Sequence, residues 1–215
     1  MQHFRLTSAA ALVALIGLNP AAQAQSTTTP AAGTGYDGTG WFARPTGTSR
    51  SLLPFTSEGY VGGSIGRSNY HLSNCAPGFR CDDNKLGLKV YTGGQLFRIA
   101  GAELAYVHLG SADRSGGRTR AQGVNLSAVV NVPAGPLNAF AKVGSTYGFT
   151  RTTGTAPGFR TGRENGFGLS YGAGLRFDIG RDWGIRAEWD RMNFKYRDGR
   201  DPADLFSIGA VYRFN

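Results

Sequence analysis

What the 215-residue sequence lacks narrows it first. It has no run of about 20 consecutive apolar residues, the length a membrane-crossing helix needs. Its apolar stretch near the start, Ala9–Leu18, is soon broken by Asn19, Pro20 and Gln23. Only two cysteines occur, Cys75 and Cys81, and two sulfurs without nearby ligand histidines cannot complete a tetrahedral metal site. No Lys-rich tract and no zinc-ligand spacing points to nucleic acid. The 33 glycines, about twice the usual share, follow no three-residue period, which excludes collagen.

What is present begins with an export signal. Arg5 supplies a small positive region, Ala9–Leu18 the apolar region, and Ala22-Gln23-Ala24 the small residues that signal peptidase needs, so cleavage is expected before Gln25. In an oxidising envelope, Cys75 and Cys81 are then expected to close a small disulfide ring. The formal net charge is +9, of which only Arg5 leaves with the signal. Such an excess suits anionic partners, and export argues against nucleic acid among them. Residues 25–54, rich in Thr, Gly, Ala, Ser and Pro, read as a flexible leader. Trp41-Phe42 is its one apolar spot, read as a surface anchor of no special role.

From Gly59 onward the hydrophobic period becomes two. In Phe167–Phe177, Phe167, Leu169, Tyr171, Ala173, Leu175 and Phe177 share one side, and Gly168, Ser170, Gly172, Gly174 and Arg176 the other. Side chains two apart share a face only in a strand. The same reading gives about eight segments of roughly ten residues: Gly59–Tyr70, Lys85–Phe97, Ala102–Gly110, Arg120–Val132, Leu137–Thr150, Asn165–Asp178, Trp183–Lys195 and Leu205–Phe214. Short turns (Arg98–Gly101, Pro133–Pro136, Ile179–Asp182) alternate with longer polar loops (about His71–Asn84, Ser111–Thr119, Arg151–Glu164, Tyr196–Asp204). Outer-membrane barrels have short periplasmic turns and long external loops. The alternation therefore orients the chain as well as classifying it.

The non-apolar face separates a membrane barrel from a soluble one. It is mostly Gly, Ser and Ala, with a few charges: Lys89, Glu103, Lys142, Arg176, Arg186, Glu188, Asp190 and Arg213. A soluble sandwich would expose this face and carry many more charges on it. A narrow eight-stranded barrel has room inside only for modest side chains, among which opposed charges can pair. The other face would meet lipid, and closure would satisfy every backbone polar group. Aromatics gather near strand ends, with Phe177, Trp183 and Phe214 at the periplasmic level. Tyr106, Tyr147, Phe149, Phe167, Trp189 and Phe206 are expected toward the outer one. The fold class is thus all-β, a closed antiparallel transmembrane barrel.

The final segment, Ser207 to Phe214, resembles the assembly signal of outer-membrane barrels, with Ser207, Gly209, Tyr212 and Phe214 at its polar, glycine and aromatic positions. That resemblance implies docking by the barrel-assembly machinery; Asn215 departs from the usual terminal aromatic. The span Gly59–Phe214 resembles small eight-stranded barrels of the OmpA transmembrane-domain, OmpX and Ail kind, through Gly59–Ser68, Gly101–Gly110 and Asn165–Gly180. The likeness to full-length OmpA is expected to stop at the barrel, without a peptidoglycan-binding domain after it. The family includes adhesins, serum-resistance factors and structural proteins, so the resemblance implies fold and location before function.

The interior carboxylates Glu188 and Asp190 share a face as a catalytic pair would, but a filled lumen leaves no substrate cavity, and an ion-paired core is expected instead. His71-Leu72-Ser73-Asn74 echoes the His-x-Ser-Asn motif of the outer-membrane lipid A 3-O-deacylase, although that family carries it late in the barrel. His108 reads as an interfacial polar residue. Arg80, Arg114, Arg118, Arg120, Arg151, Arg160, Arg163, Arg197 and Arg200 fall in or beside the long loops, where guanidinium groups suit phosphate or sulfate. Two accounts stay open: contact with lipopolysaccharide phosphates of the protein's own membrane, and adhesion to anionic surface glycans or host proteins. The expectation is a monomeric, non-enzymatic barrel without cofactor, metal or catalytic residue, acting in envelope structure or surface interaction. A lipid A-modifying enzyme and a small pore are the alternatives.

Overall fold

The computed structural model describes residues 36–37, 40, 42–45, 50–70, 84–114, 117–153, 162–196 and 199–214. Two short strands, β1 (Tyr36–Asp37) and β2 (Arg44–Pro45), pair with each other. Eight long strands follow among the described residues: β3 (Ser57–Tyr70), β4 (Asn84–Gln95), β5 (Ala100–Arg114), β6 (Gly117–Ala134), β7 (Leu137–Thr153), β8 (Gly162–Ile179), β9 (Trp183–Tyr196) and β10 (Gly199–Arg213). Each is antiparallel to its chain neighbours, and β10 returns to β3, closing a barrel. Tyr212 faces Val61 across that seam, and the Phe214 N–H donates to the Gly59 carbonyl at 2.8 Å.

The period of two is what closes the barrel with a lipid-facing outside. Along β8, Phe167, Leu169, Tyr171, Leu175 and Phe177 are exposed while Gly168, Ser170 and Gly172 are buried inward. Leu88, Val90, Leu126, Val130, Val143, Ile185 and Ile208 continue the exposed apolar wall on neighbouring strands. An apolar surface this continuous is unfavourable in water and costs nothing against lipid chains. Closure leaves no unpaired sheet edge inside that wall.

At one end the connections are short: residues 96–99, 135–136 and 180–182. Gly135 (φ 65°) and Gly180 (φ 77°) take the left-handed conformation these turns require.

At the other end the ladder runs further than the hydrophobic alternation indicates. Ser111–Thr119 and Tyr196–Asp204, expected as loops, are largely strand, because β5 continues to Arg114, β6 starts at Gly117 and β10 at Gly199. Arg151–Thr153 and Gly162–Glu164 likewise belong to β7 and β8. A tilted span needs about 9–11 residues, so β6 and β8, at 18 each, overshoot it. Beyond lipid both faces meet water, so apolar alternation stops while backbone pairing continues. Pro202 is paired with Asn193 of β9, and among the described residues the pairing of β10 with β3 runs from Ala203.

Part of the leader expected to be flexible is docked on the barrel. The Arg98 N–H donates to the Ala43 carbonyl at 2.9 Å and the Gly59 N–H to the Arg50 carbonyl at 3.1 Å. Phe42 meets Phe97 edge to face with centroids 5.9 Å apart. Glycine-rich composition hid this contact, because these hydrogen bonds use backbone groups rather than side chains.

Candidate functional site

Two clusters stand out, one in the lumen and one on the outer wall near the long-hairpin end. In the lumen, alternation points Lys89 of β4, Glu103 of β5, Lys142 of β7, and Arg186, Glu188 and Asp190 of β9 toward the axis, all buried. They form one network. Arg186 grips Glu103 through two nitrogens at 2.6 and 3.2 Å and reaches Glu188 at 2.7 and 3.1 Å. Lys142 meets Glu188 at 2.8 Å, and Lys89 bridges Glu188 and Asp190 at 2.9 Å each. Three cations thus meet three carboxylates, the condition under which burying such charges is tolerable. The Arg186 guanidinium lies between the rings of Tyr91 (4.4 Å) and Phe140 (4.1 Å). Tyr60 donates to Glu103 at 2.9 Å. Its ring occupies the space that a Cβ at Gly93 would need, and Tyr91 lies likewise against Gly62.

Arg176 and Arg213 do not join this network. They flank Asp178 nearer the short turns, at 3.0 and 3.2 Å. On the other side of the six charges, Asn125, Ser127, Thr146 and Ser170 share hydrogen bonds. A cavity of about 10 Å³ beside Lys89, Lys142 and Asp190 has room for about one water. Beyond it toward the long hairpins, buried Val107, Leu109, Met192, Phe194 and Leu205 fill the section with apolar atoms.

On the outer wall, strand register sets arginines side by side. Arg120 of β6 faces Arg151 of β7, which faces Arg163 of β8, and Arg118 faces Thr153 one step further out. All four arginines are exposed on the lipid-facing side. A concavity of about 230 Å³ is lined by Arg118, Arg120, Arg151 and Thr153. Two positions nearer mid-barrel the row reads Gln122, Phe149, Asn165, and the next Val124, Tyr147, Phe167. There Tyr147 packs on Phe149 (5.0 Å) and Phe167 (4.8 Å). Interfacial aromatics mark the edge of the hydrocarbon layer. The arginine row lies two residues beyond Phe149 and four beyond Tyr147 and Phe167, a rise of about 5 to 9 Å for a strand tilted near 45°. Like charges directly opposed across strands are unfavourable, a penalty an anion between them removes.

Of the arginines in or beside the expected loops, Arg114, Arg118, Arg120, Arg151, Arg163 and Arg200 sit on strands, Arg120 as expected. Arg80, Arg160 and Arg197 lie outside the described residues, as do Cys75, Cys81 and His71–Asn74. Ser207 and Gly209 point inward on β10, and Tyr212 packs on Trp183 (5.1 Å) and Phe214 (5.7 Å). Trp189 and Phe206, expected toward the outer level, face each other about halfway along β9 and β10, because both strands run on to Tyr196 and Gly199.

Sequence reasoning missed an outer-wall ion pair: Arg191 binds Asp204 through two contacts of 2.7 Å and stacks over Trp189 at 5.5 Å. Arg191 shares the parity of outward Trp189, but Asp204 falls in the stretch Tyr196–Asp204 where apolar alternation is absent, although it pairs with Arg191 in the ladder. Tyr60 and Asp178 were missed for another reason. Glu103, the partner of Tyr60, lies 43 residues away in the chain, and Arg213, one of the two arginines on Asp178, lies 35 away.

Residues 54–214 match the family described as Outer membrane protein beta-barrel domain. Among the curated proteins none matches the sequence. Among solved structures, the chain is similar to Neisserial surface protein A, with a TM-score of 0.60, 10% identity, and coverage of 74% of this chain and 99% of that one. It is also similar to the outer membrane protein OprG of Pseudomonas aeruginosa, with a TM-score of 0.52, 13% identity, and coverage of 74% and 97%. These likenesses concern the fold. With a closed eight-stranded wall and a match running from before β3 to the end of the seam, the chain belongs to the outer membrane protein β-barrel family.

Proposed function

We propose that this barrel is a non-enzymatic envelope protein that binds phosphate groups of lipopolysaccharide on its outer wall. In outer-membrane barrels the short turns face the periplasm and the longer connections the exterior, which puts the arginine row in the outer leaflet. The observation that carries the reading is the row Arg120–Arg151–Arg163, set directly above the Tyr147–Phe149–Phe167 cluster. Among the described residues no acidic side chain bridges these three arginines, whereas Arg191 on the same outer face has Asp204. Guanidinium pairs bidentately with phosphate, and charge-assisted contacts of this kind contribute about 1.5–3 kcal/mol each. Export through cleavage before Gln25 and a Cys75–Cys81 ring belong to the same reading.

The test is binding of purified lipopolysaccharide to the protein in detergent as salt is raised. Arg120→Gln/Arg151→Gln/Arg163→Gln is expected to weaken binding at least tenfold and to flatten its salt dependence. Dephosphorylated lipopolysaccharide should bind the unaltered protein as weakly as the triple variant binds the native lipid. Unchanged affinity in the triple variant would overturn the reading. The exposed concavity beside Arg118 also admits a sulfated glycan from outside the cell. Loss of heparin binding with lipopolysaccharide binding intact would favour that adhesive role.

A further inference from the structure

The aromatic belt at the short-turn end has a gap. Trp183, Tyr212 and Phe214 form a continuous ring-to-ring line across β9 and β10. The next wall position, at the level of Phe214, is Gly59 of β3, joined to it by the Phe214 N–H to Gly59 carbonyl bond. Gly94 of β4 follows. Tyr60 and Gly93 point into the lumen, so Gly59 and Gly94 face outward by alternation.

The leader lies over these two glycines. A Cβ at Gly59 would run into the backbone of Arg50 and Ser51, and one at Gly94 into the hydroxyls of Ser51 and Thr56. On the same rim, Ala43 accepts from the Arg98 N–H and Phe42 packs on Phe97. Gly40 reaches a hollow shared with Val130, Val132 and Pro133 of β6. Residues 40–56, where described, thus border the outside of β3 to β6 at the level where β9 and β10 carry their belt.

That segment displays apolar groups outward. Phe42 is 75%, Leu52 59% and Phe55 96% exposed. Phe55 has φ 66°, a conformation a bulky residue rarely takes. The turn is held there by local hydrogen bonds: Ser51 Oγ with Thr56 Oγ1 at 2.6 Å, Thr56 Oγ1 to the Leu53 carbonyl at 2.8 Å, and Leu53 N–H to Ser51 Oγ at 3.3 Å. Arg44 and Arg50 are exposed along the same segment. Apolar rings with neighbouring guanidinium groups are the side-chain set of a membrane–water interface.

We propose that residues 40, 42–45 and 50–56 form a collar that completes the interfacial belt, immersing Phe42, Leu52 and Phe55 in the phospholipid headgroup layer of the periplasmic leaflet. The occupant is a glycerophospholipid surface, because the collar continues a wall that already faces lipid and carries cations toward its phosphates. Collar and wall divide the work: where the wall needs glycine to accept the leader, the leader supplies the missing apolar side chains. This inference rests on the barrel's membrane face and is independent of the arginine row at the other end.

The test uses nitroxide labels at Phe55→Cys or Leu52→Cys in the full mature chain with Cys75→Ser and Cys81→Ser. The protein is placed in nanodiscs of phosphatidylethanolamine and phosphatidylglycerol, and Ile65→Cys serves as the mid-wall reference. Each label should collide with oxygen in preference to a water-soluble nickel chelate, at a depth shallower than Ile65→Cys. Collision with the nickel chelate as frequent as for labelled free cysteine in solution would overturn the proposal. Accessibility low to both reagents would also overturn it, since that is the mark of a protein partner. Heat-modifiable gel mobility confirms that each labelled barrel is folded, and Phe42→Cys provides a third position should one label disturb the turn.

Discussion

Glu188 is the residue on which the lumen depends. It contacts Arg186, Lys142 and Lys89 together, so removing it leaves three buried cations with two carboxylates. Breaking a buried pair by deleting one partner costs about 3–5 kcal/mol. Glu188→Ala is expected to lower the urea midpoint of the detergent-solubilised barrel and to weaken its heat-modifiable mobility. Unchanged midpoint and mobility would count against a structural role for the network. The sequence identified these six charges as inward by parity alone. It could not divide them from Arg176 and Arg213, because parity fixes the side of the wall and says nothing of height along the axis. Height came from register, and register put Asp178 between the last two arginines.

At the scale of the strand, the hairpin of β5 and β6 extends well past the lipid. Its ladder continues through Ser111↔Arg120, Ala112↔Thr119 and Asp113↔Arg118 after a bulge beyond His108. Replacing residues 112–119 with a two-residue Asn-Gly turn, which joins the cross-strand partners Ser111 and Arg120, should leave folding intact, because the lumen network and the β10–β3 seam lie elsewhere. The replacement removes Arg118 and trims one side of the arginine concavity, so lipopolysaccharide binding should weaken while circular dichroism and heat-modifiable mobility hold. Loss of the folded form would show that the hairpin supports the barrel. Eight strands, their order and their faces were legible because lipid on one side and a packed lumen on the other impose strict alternation. Their outer ends were not. Where water bathes both faces no alternation is selected, and Gly117, Gly162, Gly199 and Pro202 read as turn residues although they lie in paired strands.

For the whole molecule, the filled section predicts transport behaviour. Charges and polar side chains occupy the middle of the lumen, and the apolar group from Val107 to Leu205 follows toward the exterior. No steady conductance is expected in planar bilayers, and regular open steps would instead support a pore. The lumen network also bears on assembly. Lys89, Glu103 and Lys142 lie on β4, β5 and β7, whereas Arg186, Glu188 and Asp190 all lie on β9. Without β9, the sheet from β3 to β8 holds two of these ammonium groups against one carboxylate, and β9 brings the net negative charge that balances them. A partial sheet lacking either set carries unpaired charge that is poorly suited to hydrocarbon. Charge balance therefore favours a closed barrel over a stable half-built sheet in the bilayer, whichever end of the chain pairs first.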